Sequence, residues 1–415
     1  MDRTLCNRLK SGIGNYKNVF EILNQSVPVL IGTFIFFNPF PHTTAIKEIC
    51  FYLSVLIVCV LFGVRKLEWS LKSPFARPVG LFVFWAFLGI FFAINKKNSI
   101  HDFYSHLIRY LILYYIVINF LSSKKGFFSL SWIIIISSTI FSIGGLFYFF
   151  YILEYSLSKR ITILSQHPVN VISVIAGSSI LFALNQLCVE KHIYRKAALI
   201  FCLFPLSGLI IAGQARSAFI GIILAIMLFF GNSRKRVIIL MGISLAVLAM
   251  TYNENRLMAL KLRLDISKNI NYITYEIIKE HPIIGIGFGL QTYGELDLKK
   301  YNKRLPKEIQ ANEIIGDPHN IILDVTVRTG VVGLAFFVYI IFTFFKLCWS
   351  CASNGKDDFI KSGARCFAGV FIVLFATGLF HPIFSHVPEV LFCIVFSGIT
   401  VLWRLNHDVG PITTS

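Results

Sequence analysis

The chain has 415 residues, of which 56% are hydrophobic and 14% charged, with a formal net charge of +18. A soluble globular chain carries about 25% charged residues, so this composition excludes a soluble fold and points to the bilayer as solvent. The positive charge does not mark a nucleic-acid binder, because the basic residues are spread through short loops between apolar runs and do not gather on one soluble domain.

The polar, basic start MDRTLCNRLKSGIGNYK shows no cleavable signal-peptide pattern, and the first apolar run opens near Val27. Apolar runs then predict membrane helices over 25–41, 45–64, 78–95, 103–122, 127–153, 168–188, 196–213, 215–231, 235–251, 318–347, 364–381 and 387–404. Each approaches the roughly 20 residues needed to cross a hydrocarbon core about 30 Å thick. The expected fold class is therefore an all-α polytopic membrane protein with about twelve spans. It divides into N-terminal membrane helices (1–251), one large loop (252–317) and C-terminal membrane helices with a short tail (318–415).

Lysine and arginine counts orient the chain. One set of loops holds Arg3, Arg8, Lys10 and Lys17, then Arg65, Lys66, Lys72 and Arg77, then Lys124 and Lys125. The same set continues with Lys191, Arg195 and Lys196, then Arg234, Lys235 and Arg236, then Lys346, Lys356, Lys361 and Arg365. The opposite short loops hold only Lys47, Lys96, Lys97, Lys159 and Arg160. Positive-inside patterning then puts both termini in the cytoplasm and the large loop outside. That loop should begin with a helix over 254–280, followed by the turn-rich stretch HPIIGIGFG (281–289).

Nine cysteines lie mostly in apolar runs, an odd count that argues against a disulfide framework. Cys348 and Cys351 form a CxxC at a cytoplasmic helix end, where thiols stay reduced. No HExxH, extracytoplasmic DxD or run of histidines marks a metal site, and no cofactor is implied.

Arg216 lies in the apolar stretch IIAGQARSAFIGIIL, at an expected outer helix start. A charge at a helix centre costs about 2.5–3.5 kcal/mol on insertion scales, and positive-inside patterning gives no reason for a lone outer arginine. Its planar fork suits a phosphate group, whereas snorkelling to the interface is the structural alternative. His319 sits where the large loop re-enters the membrane, with Pro318 as an expected helix start and Asp317 as its cap. Imidazole there can serve as a base or phosphate partner, or merely pack at the interface. Asp324 and Arg328 follow at i, i+4 and read as an ion pair facing the bundle interior. Gly330 and Gly333 read as close-packing positions, and the glycines of 285–289 as either a turn or backbone donors to a phosphate. Lys299, Lys300, Lys303, Arg304 and Lys307 make the loop basic, which favours anionic lipids or diphosphates.

Three motifs together resemble the O-antigen ligase and polymerase superfamily, and most closely its ligase branch. QARSAFIGIIL (214–224) is similar to the family's arginine motif at a helix start. KEHPIIGIGFG (279–289) resembles its acidic-His-Pro and glycine stretch. HNIILDVTVRTGVVG (319–333) matches its His-Asn, apolar and Gly-x-x-Gly pattern, in which His319, Asn320, Asp324, Arg328, Gly330 and Gly333 fall. HPVN (167–170) is similar to a mid-family Pro-Asn stretch. The chain departs from the pattern where the family places a second arginine about fifteen residues before the proline, since Ser267 stands there, with Lys268 adjacent and Arg263 the nearest arginine.

The resemblance implies a GT-C-type glycosyltransferase of the bacterial inner membrane, with its active site on the periplasmic face. It implies an undecaprenyl-diphosphate-linked glycan donor and a lipid A–core hydroxyl as acceptor. On that reading Arg216, with Lys268 or Arg263, binds the diphosphate, and His319 activates the acceptor or contacts the diphosphate. No metal is needed, because the basic groups offset the leaving-group charge. A polymerase of the same superfamily, or a transporter of an anionic lipid or glycan, are the competing readings.

Overall fold

The computed structural model describes residues 3–64, 67, 69–157, 159, 161, 169–230, 254–312 and 314–408, with the side chains of 3–18, 216, 228–230 and 254–266 outside that set. Fourteen helices are described: α1 (Arg3–Phe36), α2 (Thr44–Gly63), α3 (Ala76–Phe92), α4 (Lys96–Phe120), α5 (Lys124–Ile152), α6 (Val169–Val189) and α7 (Ile193–Gly213). They continue with α8 (Arg216–Phe230), α9 (Glu254–Glu280), α10 (Thr292–Glu295), α11 (Leu298–Arg304), α12 (Ile321–Asn354), α13 (Asp358–Gly378) and α14 (His386–His407). No strand occurs among the described residues.

Nine of these helices are long and apolar enough to cross a membrane, and α3 and the 217–227 part of α8 are shorter apolar helices. Eleven of the twelve expected spans therefore coincide with helices, and the expected span 235–251 lies outside the described residues. The first helix departs from expectation. It runs through Pro28 and ends at Phe36, before Pro39 and Pro41. A proline inside a membrane helix is tolerated where neighbours satisfy the freed carbonyl.

The bundle is apolar outside as well as inside. Phe84, Phe92, Phe204 and Trp349 are exposed, as lipid-facing side chains are. Of the spanning helices, α6 is the most enclosed, at 83% buried. Its small residues let neighbours approach: a Cβ on Gly177 would meet Ile222 of α8 and Val373 of α13. Helices α8 and α13 pack backbone to backbone, Gly221 against Val373 and Gly369 against Ala225. That antiparallel register carries the start of α8 to the end of α13.

The two ends of the bundle differ. At one end, Arg404 donates to the carbonyls of Ser70, Lys72 and Ile118, and Lys124 pairs with Asp357 and Lys356 with Asp408. At the other end sits the large loop, whose core joins Ile273, Ile277, Ile286, Tyr293, Leu298, Tyr301 and Leu305 to Val327 of α12. The loop is thus packed onto a membrane helix. Its surface carries a triad in which Glu280 accepts from Tyr301 at 2.7 Å and from Arg304 at 2.5 Å. The Tyr301 hydroxyl, and then the Arg304 guanidinium, hold the Glu280 carboxyl down to about 2.

Candidate active site

Helix α12 is broken at Gly330, whose φ of 68° and ψ of −177° lie outside the helical region. A break at membrane depth frees backbone groups that need partners. The glycine stretch 285–289 supplies them. Ile286 N–H donates to Val327 O at 2.9 Å, and Gly287 N–H to Arg328 O at 3.1 Å. Pro282 O accepts from Val331 N–H at 2.8 Å, and the Trp85 indole N–H donates to Thr329 O at 2.8 Å. Glycine is required at 330, because a Cβ would lie 1.9 Å from Ile283 O.

The N–H groups of Gly289 and Leu290 are taken by the Ser99 hydroxyl and the Asp102 carboxylate, and that of Gly285 by His281 O. Of the two readings of this stretch, the turn is the one the contacts support: the amides of Ile286 and Gly287 serve the helix break, and those of Gly285 and Gly289 are taken by His281 and Ser99. Asp324 and Arg328 form the expected interior pair, 2.5 Å apart and almost fully buried, and Arg328 also donates to Gly289 O. The pair therefore ties the broken half-helix to the loop. Gly333 packs against Thr329 and Trp85.

His319 lies just before this half-helix. The expected helix start at Pro318, capped by Asp317, is corrected by three residues: the cap is Asn320, whose Oδ1 accepts from Ile322 N–H at 2.9 Å and Leu323 N–H at 3.3 Å. A side-chain amide satisfies two orphan donors better than a carboxylate three residues upstream can reach. Asp317 instead offers its carbonyl to His319 Nδ1 at 2.9 Å. A carbonyl only accepts, so Nδ1 carries a hydrogen in this bond and Nε2 takes no part in it. His319 is half-buried, and its ring lies 6.5 Å from that of His381.

Four chain segments meet here. Helix α8 starts at Arg216, after Gln214 turns through a left-handed conformation and donates to Leu157 O at 2.6 Å. Gly213 packs on Val169 and Ser173 of α6, and Asn170 donates to Pro382 O at 3.3 Å. Gly378 packs on Ile321. The beginnings of α6, α8, α12 and α14 thus lie at one end, around the loop 379–385. Each helix start carries about half a positive elementary charge from its macrodipole, so the place is electropositive before any side chain is counted. The Arg216 and Arg263 side chains lie outside the described set, and Lys268 is exposed on α9.

From this end toward the start of α3, residues of α3, α4, α12, α13 and α14 line a partly open cavity of about 290 Å³. Its walls are mainly apolar, among them Phe82, Leu111, Val325 and Phe396. His106, Arg328 and Glu389 give it polar groups, while Ile321 and Phe384 bring its wall within three residues of His319 and His381. Sequence reasoning missed His381, His386 and Glu389. The signal was HPIFSHVPE (381–389), which puts two histidines and a glutamate in nine residues of a chain poor in charge.

The fold is that of a polytopic all-helical membrane protein, with two histidines, His319 and His381, close together at one end of the bundle. Residues 200–338 match the family model described as O-antigen ligase. The match covers about a third of the chain and supports membership of the O-antigen ligase and polymerase superfamily. It includes Arg216, Arg263, Lys268, His319, Asn320, Asp324, Arg328, Gly330 and Gly333. No curated protein matches the chain.

Proposed function

We propose that the chain is an O-antigen ligase, moving a glycan from undecaprenyl diphosphate to a sugar hydroxyl of lipid A–core. The convergence of the Arg216 helix start with His319 at one end of the bundle carries this reading. His319 Nε2 takes the proton of the acceptor hydroxyl as its oxygen attacks the anomeric carbon. The bond from that carbon to the diphosphate oxygen breaks, and the electron pair leaves with the diphosphate. Arg216, assisted by Lys268 or Arg263, and the positive helix starts offset the developing charge, so the step runs without a metal at the leaving group. The apolar cavity next to the site takes the polyprenyl chain, and the basic surface of 299–307 meets the anionic acceptor.

The site faces the periplasm of a bacterial inner membrane and both termini face the cytoplasm. Support comes from Lys72, Lys124, Lys191, Lys196 and Lys361, which belong to the opposite end.

Deleting the gene and resolving the lipopolysaccharide on a gel tests the reading. A ligase deletion leaves lipid A–core unsubstituted, with full-length glycan retained on undecaprenyl diphosphate. Lipid A–core bearing a single repeat unit would assign the chain to the polymerases and overturn the ligase reading.

A further inference from the structure

Between α4 and α14, at the cavity, stands a second cluster that the transfer chemistry does not use. His106 lies on a π-helical turn, Phe103–Ile108, inside α4, a distortion that recurs at functional sites. Its Nδ1 is 2.8 and 2.9 Å from the two carboxylate oxygens of Glu389, and its Nε2 is 4.0 Å from Asp102 Oδ1. The His386 ring lies 4.8 Å from that of His106, with its Nδ1 3.8 Å from Glu389 and 3.0 Å from the Tyr110 hydroxyl. One ligand atom from each of His106, His386 and Glu389 lies within 4.8 Å of the others.

The geometry points to a divalent transition-metal site, of the class that takes Zn²⁺, formed by His106, His386 and Glu389. Two imidazoles and one carboxylate are the donor set of open zinc sites, which keep a fourth position for water or another ligand. Asp102, held by His101 Nδ1 and the Leu290 N–H, lies 4.0 Å behind His106 Nε2 and places a second carboxylate charge near the site. On binding, the proton leaves Nδ1 of His106 and the ring carries its N–H on Nε2, toward Asp102. His386, whose side chain is 54% exposed, turns out of the ring stack to aim Nδ1 at the ion.

Charge favours occupancy. Glu389 and Asp102 are both buried. The nearby cations Arg328 and Arg109 are each neutralised, by Asp324 and Glu48. A dication therefore adds positive charge beside two buried carboxylates whose described partners include the imidazoles of His101, His106 and His386 and the Leu290 N–H. The bound ion would clip the π-turn of α4 to the start of α14.

The test uses the full chain, without an affinity tag, purified in detergent, loaded with Zn²⁺ or Co²⁺ and freed of excess metal. About one ion per chain is retained by wild type, and Co²⁺ shows the visible absorption of a low-symmetry site. His386→Ala and His386→Asn, at a position whose side chain is about half exposed, each lose the ion, whereas His407→Ala keeps it. Wild-type protein that retains no more metal than a protein-free blank overturns the site. So does a His386 variant, monodisperse by size exclusion, that retains as much as wild type.

Discussion

The imidazole rings of His319 and His381 lie 6.5 Å apart although 62 positions separate them in the chain. His319 has its Nδ1 committed to the carbonyl of Asp317. That bond does not involve Nε2. His319→Ala should lower transfer by about 10²–10⁴-fold, the range for general acid–base catalysis, while the protein still inserts and accumulates. A purified variant acting at near wild-type rate on a lipid-linked donor would remove the base from the mechanism.

Arg216 opens α8, where the macrodipole already favours an anion. If its fork binds the diphosphate through two parallel hydrogen bonds, lysine replaces it poorly despite equal charge. Arg216→Lys should be at least about tenfold slower than wild type, and Arg216→Ala slower still. A fully active lysine variant would reduce the residue to a point charge, and a fully active alanine variant to an interfacial arginine.

Gly330 holds a left-handed φ with Ile283 O where its side chain would be. Gly330→Ala should cost at least about 1–3 kcal/mol from the backbone conformation alone, with the clash added to it. Gly144 of α5 has open space around it, so Gly144→Ala is the matched control. Thermal unfolding in detergent should show a clear loss for the first and little change for the second. Equal melting temperatures would mean that the break in α12 is not held as described.

Glu280 is a surface group whose folded pKa, about 2, lies below that of a free glutamate. A depressed carboxylate pKa contributes stability that is present above the unfolded value of about 4.3 and lost as pH falls through the folded value. Hydrogen exchange of α9 and α11 should therefore accelerate between about pH 4.5 and pH 2. Glu280→Gln should flatten that dependence. An unchanged profile in the variant would assign the acid sensitivity to other carboxylates.

Transfer should persist in EDTA to within about twofold, because cationic side chains and helix starts stabilise the leaving group. Activity abolished by chelator and restored by Mg²⁺ would contradict that chemistry. Restoration by Zn²⁺ alone would point instead to the cluster at His106.

The run lengths of apolar residues determined the all-α membrane fold, because a backbone in hydrocarbon must satisfy itself within one helix. The i, i+4 spacing of Asp324 and Arg328 determined their pairing for the same local reason. Lys and Arg counts gave an expected orientation, since charge near a span resists translocation whatever the packing. Tertiary structure decided the rest. It turned the glycines of 285–289 from a candidate phosphate loop into the cap of a broken helix, since the freed carbonyls of Val327 and Arg328 come from a helix that the local sequence does not show. It brought His381 to His319 across 62 positions, and His386 and Glu389 to His106 across 280 and 283. Periodicity reports which face of a helix is apolar, but not which helix it meets. That pairing is set by close contacts at Gly177, Gly221 and Gly369, where small side chains let α6, α8 and α13 touch and so fix which helix starts share one end of the membrane.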